Sequence, residues 1–225
     1  MNNVEKTKLV ACLNPQSLDE DLRYLSEHEP DIVEYRADLI QDHRGIISQL
    51  KILGEKVNSP ILFTLRDRME GGNFSGGDLK RVSMYNSALP FVDAIDLEIM
   101  NCHCLEELED KSCKTIILSF HDFEKTPLLS DLDIVIKKAA EAKADIIKIA
   151  AFCGSEAEAE RLLSLPEKYK NLRIAVVGMG PLGKEVRKSA PKFGSVLGYA
   201  STTSAVAPGQ LSVAELREAW NTGNQ

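Results

Sequence analysis

Short apolar runs alternate with longer amphipathic stretches eight times along this chain of 225 residues. Strands that are apolar throughout and separated by helices are typical of parallel strands covered by helices. Eight such units of roughly 25–30 residues each predict a closed (β/α)8 barrel, the TIM-barrel form of the α/β class. The predicted strands are Leu9–Leu13, Ile32–Arg36, Ile61–Arg66, Ala94–Glu98, Thr115–Phe120, Asp145–Ala150, Arg173–Gly178 and Ser195–Tyr199.

The main alternative architecture is an open doubly wound sheet, which usually carries a glycine-rich turn after its first strand. Here the first strand runs into Asn14-Pro15-Gln16 instead, and no stretch has the composition of a linker. We therefore predict a single domain over residues 1–225. The predicted helices are Leu18–His28, Arg44–Lys56, Leu79–Leu89, Cys104–Asp110, Asp131–Lys143, Glu156–Leu163, Pro181–Ser189 and Val213–Asn221.

The charge balance argues against two classes of partner. Lys and Arg number 27 against 34 Asp and Glu, which gives a net charge of −7. Nucleic acids and anionic membrane surfaces require a basic stripe, so neither is expected as a partner. The chain also has no secretory signal pattern and no apolar window of about 18 residues, and we predict a cytoplasmic protein. An anionic ligand would have to be bound by a few local arginines.

The cysteines do not form a recognisable framework. An odd count of five at irregular spacing is typical of a reducing compartment rather than of a disulfide scaffold. Cys102-His103-Cys104 lacks the paired spacing of structural zinc modules, so we predict no metal site there.

Polar residues cluster where the predicted strands end, which is where a barrel of this type builds its site. The two-residue period of a strand places Glu34 and Arg36 on the same side, both able to face the barrel axis. Asp96 and Glu98 are likewise two apart, and the sequence leaves open whether they reach the site or pair with arginines. The other strand-end residues are Thr64, Arg66, Ser119, His121 and Lys148, with Glu70 in the loop after strand 3.

Lys148 is a lone lysine inside an apolar strand, and His121 ends the neighbouring strand. Desolvation and nearby arginines both favour the neutral amine, which is the form that attacks a carbonyl. The alternative is an ion pair with Glu34 or Glu98, because buried charges are usually paired. Since adjacent strands lie about 4.8 Å apart, the imidazole can reach chemistry at the amine. A hydrogen-bonded structural histidine is the alternative for His121.

Two loops border this region. Gly71–Gly77 is rich in glycine but lacks the lysine of a phosphate-binding loop and follows strand 3, so a mobile loop carrying Glu70 is the interpretation favoured here. Ser201–Gln210 has the composition of a lid that closes over a site and excludes water.

These motifs together resemble the type I 3-dehydroquinate dehydratase family. The resemblance covers nearly the whole chain, in order, with each motif at the end of a separately predicted strand. The motifs are Glu34-Tyr35-Arg36-Ala37-Asp38, Thr64-Leu65-Arg66 with Glu70-Gly71-Gly72, Ser119-Phe120-His121-Asp122-Phe123, Asp145-Ile146-Ile147-Lys148-Ile149-Ala150 and Ala207-Pro208-Gly209-Gln210.

The resemblance implies an enzyme of the shikimate pathway that dehydrates 3-dehydroquinate to 3-dehydroshikimate. Lys148 would form a Schiff base with the ketone, His121 would be the general acid and base, and Glu70 would position the histidine. No metal or organic cofactor is implied, since a protonated imine is itself an electron sink. The ligand would be an anionic cyclic hydroxy acid, and a homodimer is left open. The implied substrate-binding residues are Glu34, Arg36, Arg66, Arg187 and Gln210, with Arg187 pairing with the carboxylate.

The chain departs from the family pattern in three places. Val206 stands where many relatives have a serine before the Ala-Pro-Gly-Gln element, and Cys12 stands where many have a serine near the end of strand 1. The chain also reaches its first strand without the hairpin that covers the barrel bottom in some members, so residues 1–7 are expected to cover that end only partly.

Two other functions fit parts of the pattern. A class I aldolase or transaldolase would share the lysine but usually bind a phosphorylated sugar, and no glycine-rich loop follows strands 7 and 8. A barrel that binds a ligand or assembles without catalysis would not form a covalent adduct.

Overall fold

The computed structural model of the protein describes residues 6–40, 43–204 and 209–222. Its eight parallel strands form one sheet in the order β7-β6-β5-β4-β3-β2-β1-β8. Every strand lies beside its successor in the chain and β8 returns to β1, which is the strand order of a nearly closed (β/α)8 barrel, as the sequence predicts. The strands are β1 Lys8–Leu13, β2 Ile32–Arg36, β3 Ile61–Thr64, β4 Ala94–Glu98, β5 Thr115–Asp122, β6 Ile146–Phe152, β7 Ile174–Met179 and β8 Leu197–Ser201.

Helices follow the strands and cover the outside of the sheet. The longest, α4, has 13 residues, and no helix within the described ranges is long and apolar enough to cross a membrane. The α-helices are α1 Leu18–Glu27, α2 Ile46–Lys56, α3 Asp78–Ala88, α4 Leu129–Glu141, α5 Glu156–Leu163, α6 Leu165–Lys168, α7 Gly183–Ser189 and α8 Val213–Thr222.

The apolar residues divide between two cores. The larger core fills the space between the sheet and the helices and includes Leu50, Phe63 and Ile149. The smaller core fills the barrel interior and includes Leu62 and Ile117. Successive residues of a strand point to opposite sides of the sheet, so each strand contributes to both cores. The interior core leaves polar side chains to occupy the carboxyl ends of the strands.

The seam between β7 and β8 is closed by backbone and side-chain hydrogen bonds together. The backbone N–H of Val196 donates to Ile174 O at 3.0 Å, and the backbone N–H of Val176 donates to Ser195 Oγ at 3.0 Å. At the other end of the seam, Arg187 donates through Nε to Gly178 O and through Nη1 to Tyr199 O, both at 2.9 Å. Arg187 therefore joins the ends of the two strands that complete the barrel.

The predicted fourth helix differs from the observed element. The predicted helix Cys104–Asp110 is instead a 3-10 helix over Ile99–Glu107. Its inward-facing apolar residues Ile99, Cys102 and Leu105 recur every three residues, which is the period of a 3-10 helix.

The last strand lies two residues later than predicted. It begins at Leu197 rather than Ser195 because the backbone N–H of Ser195 donates to Ala190 O at 3.1 Å and closes the preceding turn. Gly194 makes this turn possible with a φ of 86°. The predicted helix from Pro181 also begins two residues later, at Gly183.

Candidate active site

A cavity of about 620 Å³ opens at the carboxyl ends of the strands. Seven of the eight predicted site residues line it, and Glu70 lies behind one of them, His121. Four of the lining side chains are cationic and one is a carboxylate, so a locally positive cavity forms on a chain of net charge −7. The lining residues are Cys12, Glu34, Arg36, Arg66, Gly71, His121, Phe123, Lys148, Ala150, Val177, Met179, Arg187, Tyr199 and Gln210.

Lys148 lies inside the barrel and is paired with a carboxylate. Its residue is 5% exposed, and Nζ donates to Asp96 Oδ2 at 2.7 Å. An ion pair with Glu34 or Glu98 was the sequence-based alternative, and the partner is Asp96 instead. Asp96 Oδ1 also accepts a hydrogen bond from Ser119 Oγ at 2.5 Å. A buried ammonium needs such a partner, because an isolated charge in the interior is strongly disfavoured.

His121 lies in a chain of hydrogen bonds that fixes its tautomer. Arg66 Nη1 contacts His121 Nε2, and His121 Nδ1 lies 2.8 Å from Glu70 Oε2. A guanidinium only donates, so Nε2 is the acceptor and the ring proton is on Nδ1, from which it is donated to Glu70. Burial, followed by the charges of Arg66, Lys148 and Arg36, holds the pKa of His121 well below its ordinary value. The imidazole is therefore neutral at neutral pH, with its Nε2 unprotonated.

Glu70 is a buried carboxyl whose pKa is raised. Burial raises the pKa of Glu70 from 4.5 to about 8, against the lowering effect of the Arg66 charge. Its Oε1 is buried and has no hydrogen-bond partner among the described residues. One carboxyl oxygen of Glu70 is therefore hydrogen-bonded to His121, and the other has no hydrogen bond within the described part of the chain.

The loop that carries Glu70 is held in a tight conformation. The sequence predicted a mobile loop, and the structure places Arg68–Glu70 in a 3-10 turn. The turn ends at Gly71, which has a φ of 81°, and a Cβ at Gly72 would collide with the backbone of Arg66. Two successive glycines therefore let the chain turn back so that Glu70 faces His121.

Glu34 and Arg36 share the inner face of β2, as the two-residue period indicates, and both line the cavity. Glu34 Oε1 accepts from Thr64 Oγ1 at 2.8 Å. Arg36 donates to both carboxylate oxygens of Asp38, at 2.8 and 2.9 Å. Burial works against the charge of Arg36, but the hydrogen bonds and charge of Asp38 hold its pKa above the ordinary value.

Arg187 reaches the cavity from α7 while its Nε and Nη1 bond to the β7–β8 seam. The residue is buried, and this burial lowers the pKa of Arg187 to about 10, which leaves it charged at neutral pH. Its guanidinium is therefore held rigidly at the rim of the cavity.

The predicted lid is described only in part. Gln210 lines the cavity, whereas Val206, Ala207 and Pro208 lie outside the described residues. Cys12 also lines the cavity, and burial, reinforced by the nearby charge of Glu34, raises the pKa of its thiol. The thiol is thus protonated where many relatives have a hydroxyl.

Sequence reasoning missed three contributors to this site. Tyr199, Met179 and Phe123 line the cavity, but an aromatic or apolar residue at a strand end is more often part of a core than of a site. The role of Asp96 was left open because strand alternation gives the side of the sheet but not the partner across the barrel. A lone buried lysine implies a carboxylate nearby, and the structure identifies which one.

Cys104 and His103 lie outside the cavity. His103 Nε2 is 2.9 Å from Asp78 Oδ2, and Cys104 Sγ is 3.6 Å from His103 Nε2. The Asp78 and His103 side chains are more than half exposed. The ligand atoms of the three side chains lie within 4.8 Å of one another and are linked by hydrogen bonds.

Fold and cavity together define a (β/α)8-barrel protein with its site at the carboxyl ends of the strands. A family model described as type I 3-dehydroquinase matches residues 9–225. The chain is 33% identical over 224 residues to the 3-dehydroquinate dehydratase of Methanococcoides burtonii, with 96% of this chain and 94% of the relative covered. It is 37% identical over 186 residues to that of Methanothrix thermoacetophila, with 83% and 79% covered. The chain belongs to the type I 3-dehydroquinase family.

Solved structures agree with this assignment. A type I 3-dehydroquinate dehydratase from Clostridium difficile, crystallised with covalently modified comenic acid, superposes with a TM-score of 0.87 at 25% identity, covering 97% of this chain and 92% of that one. The enzyme from Aquifex aeolicus superposes with a TM-score of 0.83 at 25% identity, covering 96% and 98%.

Proposed function

We propose that this protein is a 3-dehydroquinate dehydratase that eliminates water from 3-dehydroquinate through a Schiff base on Lys148, with His121 as general acid and base. The observation that carries the proposal is the meeting of a buried lysine and a neutral histidine in one cationic cavity. The family membership supports the substrate. The covalent ligand of the Clostridium difficile relative supports chemistry at a nucleophilic side chain.

The covalent step joins the Lys148 nitrogen to the substrate ketone. One ammonium proton passes to Asp96, 2.7 Å away, and the lone pair that this frees on Nζ attacks the carbonyl carbon. The C=O π electrons move to the oxygen, which takes two protons in all and leaves as water. Two of the three ammonium protons depart with that water, and the product is a protonated imine with one N–H. Asp96, 2.7 Å from Nζ, stays beside a positive nitrogen at both ends of this step.

The elimination uses His121. The protonated imine withdraws electrons and acidifies the neighbouring C–H, so a neutral imidazole can remove that proton and then protonate the departing hydroxyl. In the free protein Nε2 accepts from Arg66. Substrate entry must therefore draw the Arg66 guanidinium toward a ring hydroxyl and free Nε2 to act. The Nδ1–H stays donated to Glu70, which keeps the ring oriented while Nε2 takes and returns the proton.

The carboxylate of the substrate pairs with Arg187, whose guanidinium is charged and buried at the cavity rim. Glu34, Arg36 and Arg66 contact the ring hydroxyls. Gln210 contacts the ligand from the side of the lid. A concave site lined by apolar side chains and a few convergent polar groups is typical of a small-molecule site.

The most direct test of the function adds purified protein to 3-dehydroquinate and follows the absorbance of the conjugated enone product. We expect a steady rise that depends on enzyme concentration. No rise with 3-dehydroquinate, together with activity on a phosphorylated ketose, would replace the proposal with the aldolase alternative.

Replacing Glu70 by Gln should change how stability depends on pH. The folded-state pKa of about 8 lies above the ordinary 4.5, so the contribution of Glu70 to stability is complete below about pH 4.5 and is lost as the pH rises through 8. The unfolding free energy of the wild type therefore falls as this carboxyl ionises, and glutamine does not ionise. The unfolding free energy of the variant minus that of the wild type should increase between pH 5 and 9. Urea denaturation at a series of pH values measures it. The exposed Glu141→Gln serves as control, and an unchanging difference for Glu70→Gln would contradict the burial of a carboxylate there.

Replacing Arg187 by Lys should weaken both binding and the barrel seam. Lysine cannot pair with a carboxylate as a fork or keep both carbonyl contacts, so we expect KM to rise by roughly tenfold or more with a smaller change in kcat. The melting temperature should also fall, since Gly178 O and Tyr199 O lose their donor. Lys188→Ala on the same helix alters the charge without touching the cavity. An unchanged KM in Arg187→Lys would remove Arg187 from the substrate-binding set.

A further inference from the structure

Tyr199 has a buried hydroxyl that forms no hydrogen bond with the described part of the chain. The residue lies on β8 in the barrel interior and is 4% exposed. Its hydroxyl is buried and has no hydrogen-bond partner among the described residues. Leaving such a group unpaired in the interior is costly, so its retention calls for a partner that another state of the protein supplies.

The ring of Tyr199 faces the reactive amine. Lys148 Nζ lies 4.2 Å from the ring centroid and 2.7 Å from Asp96 Oδ2. The nitrogen is therefore held between an aromatic face and a carboxylate, and each of these attracts positive charge. A cation in this position is favoured whether it is an ammonium or an iminium.

The hydroxyl lies among acceptors that are already in use. Asp96 and Glu34 are the charges that, after burial itself, most raise the pKa of Tyr199. Asp96 Oδ1 accepts from Ser119 and Oδ2 from Lys148, while Glu34 Oε1 accepts from Thr64. Each carboxylate oxygen can accept more than one hydrogen bond, so Asp96 can take a further donor when Lys148 turns toward a ketone.

We propose that Tyr199 is a positioning residue for the covalent step: its ring holds the Lys148 nitrogen in place beside Asp96, and its hydroxyl donates to Asp96 as that nitrogen turns to the ketone and loses two of its three protons. The departing protons leave with the ketone oxygen as water, and no bond of Tyr199 is broken. This inference rests on the proposed function and adds a residue that the family resemblance does not supply.

Two substitutions separate the hydroxyl from the ring. Tyr199→Phe should leave the melting temperature of the free protein unchanged or raise it, because an unpaired group is removed, while kcat falls about 3–10-fold at nearly constant KM. Tyr199→Leu should reduce kcat by a further factor on the order of ten, because the Lys148 nitrogen loses the ring that holds it in position. The adduct that borohydride traps at early times should form more slowly in Tyr199→Phe than in the wild type, and more slowly still in Tyr199→Leu.

Tyr35→Phe is the matched control. Tyr35 is equally buried, but its hydroxyl donates to Gln49 Oε1 at 2.8 Å and lies outside the cavity. In that variant the melting temperature should fall, and kcat should stay at the wild-type value. A loss of melting temperature in Tyr199→Phe would instead mean a structural hydrogen bond, and wild-type kcat and trapping rate in Tyr199→Phe would overturn the role of the hydroxyl. Failure of the wild type itself to form an adduct with 3-dehydroquinate would overturn the proposed function, which is a separate outcome.

Discussion

Lys148→Ala is expected to abolish dehydration of 3-dehydroquinate while the barrel still forms. Without the amine there is no imine and no electron sink, so kcat should fall by at least about 10⁴-fold, the scale of nucleophile deletions in other enzymes. The enone absorbance assay measures the loss, and circular dichroism checks the fold. Lys137→Ala, whose side chain is 77% exposed, should retain full activity.

The same substitution has a second effect that the structure makes measurable. Removing Lys148 leaves the buried Asp96 carboxylate without one of its two donors. Breaking one side of a buried ion pair costs about 3–5 kcal/mol, so the variant should unfold at lower urea concentration. Adding Asp96→Asn should restore much of that stability and none of the activity. Residual turnover in the stable double variant would contradict the covalent role of Lys148.

His121→Ala is expected to separate imine formation from elimination. General acid–base residues contribute about 10²–10⁴-fold, and we expect kcat to fall by that factor. Because Lys148 and Asp96 are unchanged, the nitrogen still attacks the ketone, and an adduct should accumulate that borohydride reduces and mass spectrometry detects. Normal turnover in this variant would remove His121 from the acid–base role.

His103→Ala is the control for this substitution. His103 is exposed, pairs with Asp78 on the surface and is not part of the cavity. It should leave both the turnover and the level of trapped adduct at wild-type values. A comparable loss in His103→Ala would mean that the assay responds to something other than the cavity.

Much of the barrel was predictable because its signal is local. Apolar strands and amphipathic helices each carry their own period, and a lysine in the middle of an apolar strand needs a reason to be there. This unusual position singled out Lys148, and the order of the strands then placed His121 on the neighbouring strand. The polar residues at the strand ends followed from the rule that barrels build their sites there.

The parts that were missed depend on contacts across the barrel. The pairing of Lys148 with Asp96 joins β6 to β4, and no local pattern distinguishes Asp96 from Glu34 or Glu98 as the partner. In the sequence Tyr199 looks like any interior aromatic residue. Its buried hydroxyl without a partner in the described part of the chain, and the short distance from its ring to Lys148 Nζ, distinguish it only in the structure. The 3-10 helix over Ile99–Glu107 was missed because a three-residue apolar period in a short segment is easily taken for a helical one.

The central claim concerns one bond between the Lys148 nitrogen and the substrate carbon. Borohydride added to the wild-type protein with 3-dehydroquinate, followed by digestion and mass spectrometry, tests it directly. We predict a stable adduct with the mass of the reduced ligand on the peptide containing Lys148, absent when substrate is omitted. An adduct on another lysine, or turnover with no adduct at all, would contradict the account.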